Sequence, residues 1–160
     1  IGWARIRSLI NENTNQIKVR TQQIISCDEA TTLTANDSGA IIHWTHGSAH
    51  DITLPTATVG LNFTFVLLAG AAANHHIVSQ TADKIFGKAV VLDNADDKLA
   101  TQVVLKASGL NKVHMHKTSN NTGGDAGDTV RLYCCEAGFW VCEANLLTTG
   151  TPTSIATLTD

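Results

Sequence analysis

Charge is what this sequence has least of. Lys, Arg, Asp and Glu make up 16% of its 160 residues, against roughly 25% in an average globular chain, so much of the surface is left to Thr, Ser, Asn, Ala and Gly. The net charge is −3, and the one basic group, Arg5, Arg7, Lys18 and Arg20, is diluted by Asn, Gln and Glu. Phosphate recognition needs clustered Lys and Arg, so no nucleic-acid partner is expected. Long apolar runs are missing as well. The stretch from Phe63 to Ala73 falls short of the roughly 18–20 residues of a membrane span, and no membrane partner is expected. Aromatic residues amount to 5%, which gives no obvious row of rings for a sugar platform. Trp44 and Trp140 read equally well as core anchors.

Reactive arrangements are equally sparse. There is no Gly-x-Ser-x-Gly elbow. The four cysteines are Cys27, Cys134, Cys135 and Cys142. Cys134 and Cys135 are neighbours on an apparent strand and point to opposite faces, so at most one of them can meet Cys142. The expected state is reduced, half-buried thiols in apolar surroundings that raise their pKa and keep them inert. The sequence therefore predicts no enzyme, no catalytic residue and no cofactor.

Residues 1–26 differ from the rest. They are polar, rich in Asn and Gln, and their apolar residues Trp3, Ile6, Ile10, Ile17 and Ile24 fall on a heptad whose remaining seam positions are Asn13 and Arg20. Ile17, Val19, Thr21, Gln23 and Ile25 also alternate with period two, so an extended arm competes with a coiled coil. The favoured reading is a helix to about Ile17 followed by extended chain. Such a segment cannot bury its stripe alone. Trp3, Ile6, Ile10, Ile17 and Ile24 are accordingly the candidate partner-binding residues, with Trp3 the natural anchor for a partner pocket.

From Cys27 the texture becomes short strands separated by turn residues, spaced as in an antiparallel sandwich or barrel. Strands are expected at 31–33, 40–45, 51–54, 62–68, 75–79, 89–92, 101–107, 112–117, 129–136 and 139–144. The turn Glu136-Ala137-Gly138 makes the last pair a hairpin, and its two fairly apolar faces place it centrally or at a subunit contact. The stretch Ser119–Asp128 reads as a surface loop. The expected fold is mainly β: an antiparallel β-sandwich or barrel-like domain over 27–146, with an N-terminal helical or extended arm over 1–26 and an extended tail over 147–160.

Thr32-Leu-Thr-Ala-Asn-Asp-Ser-Gly39, followed by Ile52-Thr-Leu-Pro-Thr-Ala-Thr-Val-Gly-Leu-Asn-Phe-Thr-Phe65, resembles the β-domain that recurs in tailed-phage structural proteins, including capsid decoration (cement) proteins and head or tail fibres. The resemblance covers residues 31 to about 145. It implies a virion structural protein on the capsid surface, assembled in the host cytoplasm. Its implied partners are the major capsid protein and sister subunits in a homo-oligomer, a trimer being favoured. The alternative is a fibre or receptor-binding module recognising a host surface glycan through Ser119–Asp128 and the His-rich turn. No functional residue carries over, because the matched positions are structural: short polar side chains and Gly39 turn the chain, and Pro55 ends a strand.

Histidine is the one reactive type in excess. His43, His46 and His50 lie close in sequence but do not share a face if 40–45 is a strand, so a surface hairpin is expected rather than a metal site. His114 and His116, two apart on a strand, do share a face, as a polar sheet face or subunit contact. His75 and His76 point oppositely and suggest nothing. Asp93, Asp96 and Asp97, with Asp125 and Asp128, lack the spacing of a calcium loop. No metal site is predicted.

Overall fold

The computed structural model describes residues 2–18, 22–45, 47–70, 74–93, 100–116 and 123–148. It opens with helix α1 (Trp3–Lys18) and continues through β1 (Ile24–Cys27), β2 (Thr31–Thr32), β3 (Ile41–Trp44), β4 (His50–Thr53), β5 (Asn62–Leu67) and β6 (His75–Val78). The chain then runs through β7 (Lys84–Asp93), β8 (Ala100–Leu110), β9 (Lys112–Met115), β10 (Thr129–Glu136) and β11 (Phe139–Thr148). Every expected strand has a counterpart. The body starts at Ile24 rather than residue 27, and its last strand runs two residues beyond 146. The remaining tail, 149–160, lies outside the described residues.

The strands form a seven-stranded sheet, ordered β1-β3-β5-β10-β11-β7-β8, and a four-stranded sheet, ordered β2-β4-β6-β9. Mainly β architecture with an N-terminal helix is as the sequence predicts. The pairing corrects the antiparallel expectation, because both sheets are mixed. From β1 to β6 the chain alternates between the sheets, and each strand lies parallel to the one two before it: β1 to β3, β3 to β5, β2 to β4 and β4 to β6. The result is three stacked turns of a parallel coil. A parallel neighbour needs a crossover of a dozen or more residues, and here the strand of the opposite sheet supplies it.

The stacking follows from the inward residues of successive turns. Ile25, Ile42 and Phe65 stand in register on the large sheet, as do Cys27, Trp44 and Leu67. On the small sheet Thr31, Ile52, Ile77 and Val113 form a column, and Leu33 and Leu54 continue the ladder, donating N–H to Thr53 and Val78 carbonyls at 2.9 and 2.8 Å. The apolar residues of these columns pack into one buried cluster shared by both sheets, a sandwich-like arrangement. Removing apolar surface from water, at about 25 cal/mol per Å², is what holds it together.

Turn chemistry sets the corners. Thr34 N–H and Oγ1 donate to Asp37 Oδ2 at 2.8 and 2.7 Å, closing the short 3₁₀ turn Ala35–Asp37 before β3. Pro55 sits just past the end of β4, and Gly138 at φ 83° turns β10 into β11. That hairpin enters the large sheet between β5 and β7, antiparallel to β5 and parallel to β7. It is central, with one face in the core and the other outward, as its two apolar faces predict. Trp140, Cys142, Ala144 and Leu146 point in, whereas Phe139, Val141, Glu143 and Asn145 point out.

Candidate functional site

The strongest candidate is α1, because its described side chains, through residue 11, stand outside the core. None of residues 2–11 is buried, and only Ile6 is half-buried. Trp3 is 76% exposed, Ile10 57% and Leu9 53%. The helix has little intrinsic support. Sixteen residues is close to the length at which isolated helices are marginal in water. Asn11, Asn13, Thr14 and Asn15 are weak helix formers. No acidic residue occupies the first turn, where Arg5 instead opposes the helix dipole. A helix with these handicaps draws little stability from its own sequence. Trp3, Ile6 and Ile10 share one face of the helix; the side chain of Ile17 lies outside the described residues. Ile24 does not join them: it opens β1 beside Ile41 on the outer face of the large sheet, so the heptad is broken between Ile17 and Ile24.

A second concentration of chemistry lies on the small sheet. Its register aligns His50 with His75 and Met115, and Asp51 with His76 and His114. The inward set joins the core: the Trp44, His50 and His75 rings form a triangle with centroids 4.7 to 5.1 Å apart. The other set forms a ladder. His76 Nδ1 lies 2.7 Å from Asp51 Oδ1, the His76 and His114 rings are 4.8 Å apart, and His114 Nε2 lies 2.9 Å from Asn74 Oδ1. His116 sits edge-on to His114, with ring centres 6.2 Å apart. His114 is pushed down to about 4 by burial and then by His76, His116 and Lys112, so it is a neutral imidazole at pH 7.

The shared face expected for His114 and His116 is present. His76 joins them, a member that reading the sequence alone dismisses because His75 and His76 point oppositely. Each of that pair enters a different cluster. The signal for this was the likeness of His50-Asp-Ile-Thr to His75-His-Ile-Val, one turn of the coil apart. His43 is on the outer face of the large sheet and the half-buried His50 is on the inward side of the small sheet, so these two do not meet; His46 lies outside the described residues.

Asp128 is buried and accepts backbone N–H groups from Gly124, Asp125 and Leu147 at 2.6, 3.1 and 2.8 Å. Burial nevertheless lifts its pKa to about 6. Its oxygens tie the end of the Ser119–Asp128 loop to β11. Residues 119–122 of that loop, with Asp96 and Asp97, lie outside the described residues. Among the described residues no group of three or more His, Cys, Asp or Glu is arranged to hold a metal ion. All four cysteines are free: Cys27, Cys134 and Cys142 are buried and Cys135 is exposed. Burial raises the Cys27 and Cys134 thiols and pushes Cys142 up to about 12.

Trp44 and Trp140 are fully buried, which settles them as core anchors and removes Trp44 as a surface ring for sugars. Among the described residues no helix is long and apolar enough to cross a membrane. No family model, curated protein or solved structure matches the chain.

Proposed function

We propose that this chain is a virion structural protein, a capsid decoration subunit that joins sister copies through α1 and binds the major capsid protein of a head shell. The observation that carries the reading is α1 itself: a weakly self-supporting helix whose Trp3, Leu9 and Ile10 are exposed, attached to a body whose described core takes none of residues 2–11. Seam residues Trp3, Ile6, Ile10 and Ile17 with a polar Asn13 suit a parallel helical bundle, in which one polar seam residue fixes register and copy number at some cost in stability. The resemblance of residues 31 to about 145 to tailed-phage β-domains supplies the particle. Many copies on a shell reinforce it by multivalency even where each contact is weak.

Light scattering of the full chain and of a chain lacking residues 1–23 tests the assembly. A small oligomer, a trimer first, that becomes monomeric on truncation is expected. A monomer in both cases overturns the reading. Co-sedimentation with head shells lacking decoration tests attachment, and equal binding by the truncated chain would remove α1 from that role.

A further inference from the structure

The outer face of the large sheet combines hydrogen-bonding groups and rings in a way neither the core nor the helix requires. Across β10, β11 and β7, register places Tyr133, Val141 and Phe86 side by side. The next outward row is Arg131, Glu143 and Lys88, and the one after is Thr129, Asn145 and Val90. Successive rows are about 7 Å apart, two residues along a strand. Phe139 meets Phe86 edge-on, with ring centres 6.1 Å apart. Tyr133 donates to Glu143 Oε1 at 3.4 Å. A depression of about 260 Å³ opens beside these rows, lined by Lys88, Val90, Glu143, Ala144 and Asn145.

We infer that this depression binds a pyranose unit of a saccharide. A sugar ring has an apolar C–H face and a rim of hydroxyls that both donate and accept. The lining offers Lys88 as donor, Glu143 as acceptor and Asn145 as both for the hydroxyl rim. Beside it Arg131 is a further donor, while the Phe86 and Tyr133 rings, one row along, present apolar faces to a saccharide that extends past the depression. Other ligand classes fit worse. Glu143 between the two cations opposes a polyphosphate backbone, which seeks an unbroken positive surface. An apolar ligand would strand the charged groups. The groups sit on central strands held on both sides, so the site is preformed and little ordering is required on binding. The inference concerns the β-body and does not depend on how α1 assembles.

The test is an amide NMR titration of the full chain with glucose, galactose, N-acetylglucosamine and their disaccharides, up to the order of tens of millimolar. Saturable shifts confined to residues 84–90, 129–133 and 139–147 are expected with at least one probe. Phe86→Ala and Glu143→Gln should each weaken that binding by about tenfold or more, the loss of a charge-assisted hydrogen bond or of a ring's contact area, and circular dichroism should show both variants folded. Absence of shifts with every probe overturns the inference, as do shifts that persist in both variants. The competing occupant is a sister subunit. Cys135, the exposed thiol two residues along β10 from Tyr133, reports it: alkylation at a free-thiol rate in the full-length assembly keeps the face open, and protection of Cys135 together with absent shifts assigns the face to subunit packing.

Discussion

His114 and Asp128 are both buried, and their pKa values are displaced in ways that oppose each other. His114 falls from 6.5 to about 4, so the native state favours its neutral form. The unfolded chain takes up that proton first, and the stability this residue provides above pH 6.5 is lost as pH falls towards 4. Asp128 rises from 3.8 to about 6, so its contribution is complete below pH 3.8 and is lost as pH rises through 6. Between pH 4 and 6 the two partly cancel, and single variants should unmask them. In urea unfolding at pH 7 and pH 4.5, the stability gap between the parent chain and His114→Gln should shrink at the lower pH. The gap for Asp128→Asn should widen. Each change is expected on the order of 1–3 kcal/mol. Parallel curves for all three proteins would show that neither residue titrates as described. The shared face of His114 and His116 was legible because a strand repeats every two residues. The place of His76 was not, because it depends on which strand lies beside β6, and alternation along one strand carries no information about its neighbour.

At the scale of elements, the parallel pairing turns on a few close approaches. Gly87 on β7 has φ 143°, and a Cβ there would lie 2.0 Å from the Cys142 carbonyl oxygen of β11. The register of β7 with β8 shifts at the same place, between Ile85 and Gly87. Backbone rather than a flexible side chain blocks the space, so Gly87→Ala must separate β7 from β11 or distort both. A loss of about 2–4 kcal/mol is expected in denaturant unfolding. Gly60, at φ 95° with open space for 4 Å around the point a Cβ would occupy, is the control, since Gly60→Ala meets only the backbone preference, about 1 kcal/mol. Equal losses would show that the β7–β11 contact is not tight. The same glycine explains a displaced boundary. Residues 84–88 interrupt a simple apolar alternation at Gly87, so the sequence placed a strand only from residue 89, whereas unbroken parallel pairing with β11 from Phe139 opposite Lys84 lets β7 begin there. The expected strands were found because β-branched runs and turn residues mark them locally. The antiparallel expectation failed because each same-sheet crossover contains a strand of the other sheet, and from sequence those consecutive strands look like a meander.

For the whole molecule, the division between a self-sufficient β-body and a dependent helix has a measurable consequence. Among the described residues the body's core includes Trp44 and Trp140 and none of residues 2–11, while Trp3, Leu9 and Ile10 of α1 are exposed and its start has no electrostatic support. Helix and body should therefore respond differently to dilution. If sister copies hold α1, dissociation removes the partner surface, and a helix of this length and composition then melts. Ellipticity at 222 nm should fall on dilution while the near-ultraviolet signal of the two buried tryptophans stays constant. Ile10→Asn, which places a polar group in the seam, should move that transition to higher protein concentration by about tenfold or more, as expected for loss of one buried aliphatic contact. The body's thermal midpoint should be unchanged, because no core residue is touched. A helical signal independent of concentration would mean that α1 is stable without sister copies, and the assembly reading would then have to rest on another surface of the β-body.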